Sequence, residues 1–409
     1  MAKNSSPSSA VETETIPFIP QTKSSDFHAA INLFKSCVGI GILAVPYIFQ
    51  LAGYGLSIII LLIIRVLIVY TTELIINMVA GSSSNLGEHT FRDFYEKKMG
   101  RFARILFEVS LGALIFGTCT SYVIFFLDML TQSFHLTGIY WKLLFAASTL
   151  VIIVPLSLIR NYSVFVKYSF VGSILIFGTL ITLVTYFSSE NGLDINAMPI
   201  ADFEGLPTMI GVFMFAFECL GQTLPIRQSM KKPENFMKIF QWITITELMF
   251  YFFFGFISSL ARPHAPENML YNLNHESKYL IFAKAAYAIS LIISYPLQLV
   301  VLADIVEHAG LPKYIIESEN FAVKNIPRFG SILIIFSIAI IGPSFASFIS
   351  LFGHFGAINI QFVCPIWASF KVLDLSLKKK ILHGVILVVS VSAMLVGIAV
   401  SIKDIVQKY

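Results

Sequence analysis

The chain has 409 residues, of which 56% are hydrophobic and 13% are charged, and its mean hydropathy is +0.79. A soluble globular domain carries about 25% charged residues, so we expect lipid to form part of the solvent around this chain. The net charge of +4 is small, and we expect no nucleic-acid partner.

The N-terminal segment has the composition of a polar tail. Residues 1–25 are rich in Ser, Thr, Pro and Glu and lack a long apolar stretch. We therefore predict a disordered cytosolic tail and not a cleavable signal peptide. The rest of the chain is predicted to form one transmembrane domain over residues 26–402, followed by a short C-terminal tail at 403–409.

Long apolar runs predict eleven transmembrane helices, since about 20 apolar residues cross the hydrocarbon core of a bilayer. Spans one to eleven are predicted at residues 28–50, 54–79, 105–130, 140–159, 164–187, 206–226, 239–260, 279–304, 328–344, 346–370 and 381–402. Almost no polar sequence separates spans nine and ten, and we predict a turn between them at Gly342-Pro343.

Lys and Arg residues are distributed unequally between alternate loops. With the N-terminus in the cytosol, the eleven spans place 20 of the 28 on the cytosolic side and five on the other side. The remaining three, Lys35, Arg65 and Lys284, lie within spans. Because positive residues are enriched in cytoplasmic loops, this bias predicts a cytosolic N-terminus and a C-terminus on the opposite side.

Two spans contain glycine and proline where an unbroken helix would avoid them. In span one, Gly39 and Gly41 are followed by Pro46. In span six, Gly221 is followed by Pro225. Backbone groups inside a membrane must find partners within the protein, so these interruptions predict broken helices with a specific purpose.

The positions of the two broken spans predict an inverted repeat. Spans one and six are five apart, so they run in opposite directions across the membrane. The five-plus-five arrangement assigns repeat one to about residues 28–187, repeat two to about 206–370 and an extra helix to about 381–402. Transporters of this architecture bind their substrate near the midplane, beside the paired discontinuous helices.

Broken helices offer two kinds of backbone group to a ligand. Free N–H groups at a half-helix start suit a carboxylate, and exposed carbonyls suit a cation or an ammonium group. An α-amino acid carries both groups, so we predict an amino acid site, with carbonyls around residues 216–218 facing the ammonium. The alternative is that the glycines only permit close helix packing.

Polar residues within the spans suggest further roles. Glu218 would cost several kcal/mol as an unpaired carboxylate at this depth, so we predict that it acts in gating or coupling. Lys35 lies about 6 Å along the helix from Gly39, and Asn32 lies one turn further. We predict coupling or gating for both, although Lys35 could instead extend its ammonium group to the interface. For four other charged residues within the spans we predict structural roles: Arg65, Asp128, Glu247 and Lys284.

Other classes of function lack the residues that they require. The cysteines, which fall inside apolar runs without metal-ligand spacing, are Cys37, Cys119, Cys219 and Cys364. We expect them to be small buried hydrophobes, and we expect no metal site and no cofactor. A membrane-embedded enzyme needs clustered His, Asp, Ser or Cys at one depth, and a channel needs filter-like repeats. We find neither pattern and predict that the chain is not an enzyme.

Four segments resemble the amino acid/auxin permease family, nearest its proton-coupled and vacuolar amino acid transporter branches. They are residues 35–46 in span one, 91–101 between spans two and three, 215–234 around span six, and 294–298 in span eight. The resemblance extends over about residues 26–402 and implies an all-α, LeuT-like fold with discontinuous first and sixth helices. It places substrate contacts on the backbone at Gly39, Ile40 and Gly41, and at Phe217 and Glu218.

We therefore predict a secondary active or facilitative amino acid transporter, with neutral amino acids as the expected substrates, that works by alternating access. Some proton-coupled family members carry His where this chain has Asn32, so the coupling ion is left open between H⁺ and Na⁺. The expected location is a vacuolar, lysosomal or plasma membrane, and the sequence assigns no oligomeric state. The alternative is an amino-acid-binding receptor that signals with little or no transport, for which we would expect a long soluble domain.

Overall fold

A computed structural model of the chain describes residues 24–81, 90–136, 138–158, 162–194, 198–262, 264–273, 277–308, 318 and 320–407. The regular structure in these ranges is helical, apart from one parallel bridge between Ser24 and Met230. Most of the predicted N-terminal tail lies outside the described residues.

The α-helices of eight or more residues are numbered here in chain order. They are α1 Asp26–Cys37, α2 Val45–Ala52, α3 Tyr54–Gly81, α4 Phe91–Met99, α5 Arg101–Ser133, α6 Ile139–Leu158, α7 Tyr162–Asn191, α8 Leu206–Phe217, α9 Leu220–Ser229, α10 Phe236–Ala261, α11 Lys278–His308, α12 Ile326–Ile341, α13 Phe345–Phe352, α14 Cys364–Val372 and α15 Leu377–Gln407. The last helix continues through Gln407, into the segment predicted as a C-terminal tail.

The helices correspond to the predicted spans. Span one comprises α1 and α2, span six comprises α8 and α9, and span ten runs from α13 to α14. Within the described residues, nine helical segments are long and apolar enough to cross a membrane, and the bent pair α1–α2 makes a tenth. The shorter α12, an apolar helix of 16 residues, lies at the ninth predicted position. The predicted all-α membrane fold is thereby confirmed.

Burial separates the inner spans from those that face lipid. The buried share of the apolar 18-residue stretch differs between the spans. It is 72% in α5, 67% in span six and 78% in span ten, against 17% in α6 and 22% in α15. The spans with the most buried stretches therefore include span six, which is one of the two broken spans. The outer helices expose many large apolar side chains, as expected where lipid is the solvent.

The predicted turn between spans nine and ten is present. Gly342 follows α12 with a φ of +70°, a left-handed conformation that glycine adopts without steric cost. The hydroxyl of Ser344 then accepts a hydrogen bond from the backbone N–H of Ser347 and so caps the start of α13.

Span ten is irregular near its middle, where π-helical turns occupy Gly353–Ala357 and Asn359–Val363. The ring of His354 in the first turn is fully buried, and its Nδ1 lies 2.8 Å from the carbonyl oxygen of Ser350. A Cβ added at Gly211 in α8, or at Gly397 in α15, would overlap this ring. The histidine therefore fills a space that glycines on two neighbouring helices leave open.

Candidate functional site

Span one is broken at the predicted glycines. α1 ends at Cys37, Gly39 is extended with a φ of −123° and a ψ of −159°, and a 3₁₀ turn covers Ile40–Ala44 before α2. The two halves of the span meet at an angle of 49°. The first N–H groups of a helical segment have no partner within it, and no side chain caps this turn.

Span six is broken at Glu218. α8 ends at Phe217, Glu218 is extended with a φ of −73° and a ψ of 126°, and α9 starts at Leu220. The backbone N–H of Gly221 donates to Glu218 Oε1 at 3.4 Å. The carboxyl group thus lies at the start of α9, where the helix dipole favours a negative charge.

The two breaks lie directly against each other. A Cβ added at Gly41 would lie 3.0 Å from the Cβ of Ala216. Next to this contact, the side chains of Cys37 and Cys219 lie close to each other. From Cys37 to Gly41 the chain of span one advances, while the paired positions in span six go back from Cys219 to Ala216. Gly39, midway between the two contacts, therefore lies close to residues 217–218.

The space beside Gly39 is open. A Cβ added there would meet no heavy atom within 4 Å, and both Gly39 and Glu218 are only partly buried. Ile40, Gly41 and Phe217 are buried by contrast. The structure therefore brings all five predicted substrate-contact residues to the two breaks, with Gly39 and Glu218 facing the less enclosed space.

Two tyrosines, which the sequence did not suggest as site residues, contact the breaks. Tyr251 in α10 lies with its hydroxyl 3.1 Å from the carbonyl oxygen of Cys37 and 3.0 Å from that of Ala216. The hydroxyl of Tyr287 in α11 donates to the carbonyl of Gly39 at 3.3 Å. The carbonyl of Ala216, predicted to face a substrate ammonium, therefore already has a donor.

A sequence signal for Tyr251 does exist. This residue and Glu247 lie four positions apart in a span rich in phenylalanine, so they share a helix face. Two polar groups on one face of an apolar span indicate that this face points into the bundle. Which residues they meet there cannot be obtained from spacing within one helix.

Asn32 and Lys35 lie on α1, before the break. The side chain of Asn32 is exposed and that of Lys35 is half-buried, whereas Leu33 and Cys37 on the same helix are buried. The structure therefore does not bring Asn32 into the enclosed centre with Gly41 and Phe217.

Backbone contacts join spans one and six at the face that carries the N-terminus, called here the N-terminal face. The backbone N–H of Ser24 donates to the carbonyl of Ser229 at 2.7 Å, and that of Lys231 donates to the carbonyl of Ser24 at 2.9 Å. The amide of Asn235 donates to Asp26 Oδ2 at 2.7 Å. These bonds attach the start of α1 to the end of α9.

Charged side chains connect three further helices at the N-terminal face. Arg92 of α4 pairs with Glu108 of α5 and, at 3.4 Å, with Asp304 of α11. Arg104 lies 3.3 Å from Glu108 and 3.0 Å from Glu96. The buried Glu108 is thus shared by two arginines.

The opposite face is covered by residues 264–273, called here the covering loop. The backbone N–H of Met269 donates to the carbonyl of Leu43 at 2.9 Å, so the loop reaches the 3₁₀ turn of span one. Glu267 Oε2 accepts hydrogen bonds from the hydroxyl of Ser344 at 2.8 Å and from the N–H of Ala346 at 3.1 Å. The loop therefore bridges span one and the start of span ten.

Arg262, at the end of α10, fixes the shape of the covering loop. Its guanidinium donates to the carbonyls of Met269 at 2.7 Å and Tyr271 at 2.8 Å, and it lies over the ring of Phe187. Burial lowers the pKa of Arg262 to about 10, which still leaves the group protonated at neutral pH.

Comparison with known proteins identifies the family. Residues 22–403 match the family model described as transmembrane amino acid transporter protein. The chain belongs to this family. The transmembrane amino acid transporter match covers every helix from α1 to α14 and most of α15, including both breaks and both sets of contacts at the two faces.

Curated relatives are transporters by name. Vacuolar amino acid transporter 4 of Saccharomyces cerevisiae is 24% identical over 81% of this chain and 51% of its own length. Vacuolar amino acid transporter 3 of the same yeast is 26% identical over 90% of this chain and 55% of its own length. The chain thus spans about half the length of these two relatives. Amino acid transporter AVT3A of Arabidopsis thaliana is 24% identical over 95% of this chain and 91% of its own length.

Solved structures agree in fold with this amino acid transporter family member. MhsT in complex with L-phenylalanine superposes with a TM-score of 0.51 at 14% identity. The match covers 93% of this chain and 100% of that chain. A manganese transporter from Eremococcus coleocola gives a TM-score of 0.56 at 14% identity, covering 92% of this chain and 86% of that chain. At this identity the likeness shows the LeuT-like fold alone.

Proposed function

We propose that the chain transports amino acids across a membrane by alternating access, and that the substrate binds between the breaks of spans one and six. The observation that carries this proposal is the direct contact between the breaks, with open space beside Gly39. The N–H groups of Gly39, Ile40 and Gly41 would bind the substrate carboxylate, because they lie at the start of a helical segment. The names of the relatives support an amino acid as the substrate.

The ammonium group of the substrate would face Glu218. Its carboxyl group borders the less enclosed space and is held by the start of α9 through Gly221. Phe217 and Tyr251, which lie at the breaks with their rings 4.7 Å apart, carry no charge. A charged substrate side chain would have no partner among these groups, so we propose neutral amino acids.

Alternating access would act through the contacts at the two faces. The bonds between Ser24 and Ser229 and the pair of Asp26 with Asn235 would separate when the N-terminal face opens. The covering loop would leave Leu43 and Ser344 when the opposite face opens. The first set joins span one to span six at one face, and the second joins span one to span ten at the other face. One set can therefore separate while the other holds, as a transporter with two gates requires.

The membrane and orientation are also part of the proposal. The two yeast relatives are named as vacuolar transporters, so we propose a vacuolar or lysosomal membrane. The charge distribution supports a cytosolic N-terminal face. The family match and the names of the relatives give no support to the receptor alternative.

Reconstitution into liposomes tests this function. Purified chain in vesicles preloaded with one unlabelled amino acid should exchange it for the labelled form faster than protein-free vesicles do. A screen of the proteinogenic amino acids at two pH values, with and without a pH gradient, gives the substrate range and the dependence on protons. Absence of exchange for every amino acid at both pH values would refute the proposal.

A further inference from the structure

Glu247 lies behind the two breaks, with no charged partner among the described residues. The residue is in α10, its exposure is 0%, and within the same part of the chain neither carboxyl oxygen accepts a hydrogen bond. The thiol of Cys37 from span one lies alongside it, and that of Cys219 from span six lies nearby. Tyr251, whose hydroxyl bridges the carbonyls of both breaks, is one turn further along α10.

Among the residues that the structure describes, none places a positive charge against Glu247. Its titratable neighbours are two thiols, Cys37 and Cys219, and the phenol of Tyr251, groups that carry no positive charge in either protonation state. α2, α3 and α7 also pack against α10, and within the described residues they place no charged side chain against this carboxyl. An ionised, unpaired carboxylate inside a membrane protein costs several kcal/mol, so the structure accommodates the neutral acid.

The position of Glu247 links its charge to the packing of the breaks. α1 and the break of span six both lie against the face of α10 that carries Glu247 and Tyr251. An ionised Glu247 needs water or a cation, and either can reach this fully buried carboxyl only if an element packed against α10, such as α1, moves away. Loss of its proton therefore disfavours the arrangement in which α1 packs against α10, called here the closed arrangement.

We propose that Glu247 is the carboxyl that binds and releases the proton coupled to amino acid movement. In the closed arrangement it holds the proton as the neutral acid. When α1 moves away from α10, the O–H bond breaks, the proton passes to water in the open cavity, and the carboxylate is hydrated. The inference rests on the proposed function, since coupling needs a transported substrate.

The experiment separates exchange from proton movement. Wild-type chain and Glu247→Gln are reconstituted in vesicles that contain a pH-sensitive dye, and the amino acid exchanged fastest by wild type is the probe. Glutamine imitates the neutral acid, so Glu247→Gln should exchange labelled amino acid but lose probe-dependent proton flux and accumulation driven by a pH gradient. Glu73→Gln, an exposed carboxyl on α3, is the matched control and should behave as wild type.

The outcomes distinguish this inference from the proposed function. Proton flux retained by Glu247→Gln would overturn the inference, as would wild-type exchange without any proton flux, while the proposed transport function would stand. Absence of wild-type exchange would refute the transport function itself, and the inference with it. If Glu247→Gln does not fold, Glu247→Asp replaces it: a shift in the pH profile of proton flux supports the inference, and an unchanged profile overturns it.

Discussion

Tyr251 supplies a donor to the carbonyls at the ends of both half-helices. A single hydroxyl proton is shared between Cys37 and Ala216, so the two breaks are held at a fixed separation. Because its ring also packs 4.7 Å from that of Phe217, the residue fixes the wall of the candidate site as well as its backbone. The contribution of the hydroxyl alone can be measured without removing the ring.

Tyr251→Phe should leave two buried carbonyls without this donor. A buried polar group that loses its partner costs about 1–3 kcal/mol, so the midpoint of thermal unfolding in detergent should fall. Exchange in vesicles should fall too, because the separation of the breaks is no longer fixed. Tyr140→Phe, at a side chain that is 84% exposed, is the control and should change neither quantity. Equal behaviour of the two variants would contradict this role for Tyr251.

Gly41→Val should abolish transport without abolishing membrane insertion. The added side chain would meet Ala216, whose Cβ lies only 3.0 Å from the position of the new Cβ. The breaks would be forced apart at the substrate position, while the apolar span would still insert. Uptake per quantity of membrane-inserted protein is the measurement. Gly178→Val, where a Cβ meets nothing within 4 Å, is the matched control, and wild-type uptake by Gly41→Val would remove the site assignment.

At the scale of elements, Glu108 joins α4 and α5, and through Arg92 it connects both to α11. Glu108→Gln would leave two arginines without a shared carboxylate in a partly buried position. We expect a loss of about 1–3 kcal/mol in stability, measured as a lower unfolding midpoint in detergent. Glu96→Gln tests the exposed end of the same network and should change stability little. A larger effect from Glu96→Gln would show that the network does not depend on the buried carboxyl.

The elements themselves could be predicted because their causes are local. Apolar runs give the span positions, and the glycines with the prolines that follow them indicate which spans break. Span one breaks at Gly39, and span six breaks at Glu218, three residues before Gly221. The roles of Tyr251, Tyr287 and Glu247 could not be predicted, because contacts between spans depend on how each helix rotates and crosses its neighbours. Spacing within α10 also does not reveal that Glu247 is fully buried and has no hydrogen-bond partner among the described residues.

At the scale of the whole molecule, the charge distribution predicts which face meets the cytosol. The four native cysteines are buried, so a single new surface cysteine can be labelled selectively. Lys98→Cys should react with a membrane-impermeant maleimide only from the cytosolic side, and Glu204→Cys only from the other side. Labelling in sealed vesicles of known orientation is the measurement. The reverse pattern would invert the topology, and labelling of both from one side would contradict the span count.

The buried ring of His354 determines which parts of the bundle can be displaced. Because it fills gaps at Gly211 in α8 and Gly397 in α15, these helices and span ten cannot slide past one another without a steric clash. α9 lies beyond Glu218, outside this interlocked group, and its bonds to the start of α1 are those expected to separate when the N-terminal face opens. We therefore expect spin labels on α8 and α15 to keep one separation throughout the transport cycle. Labels on α9 and α15 should show two separations, which makes Glu218 the pivot of the molecule.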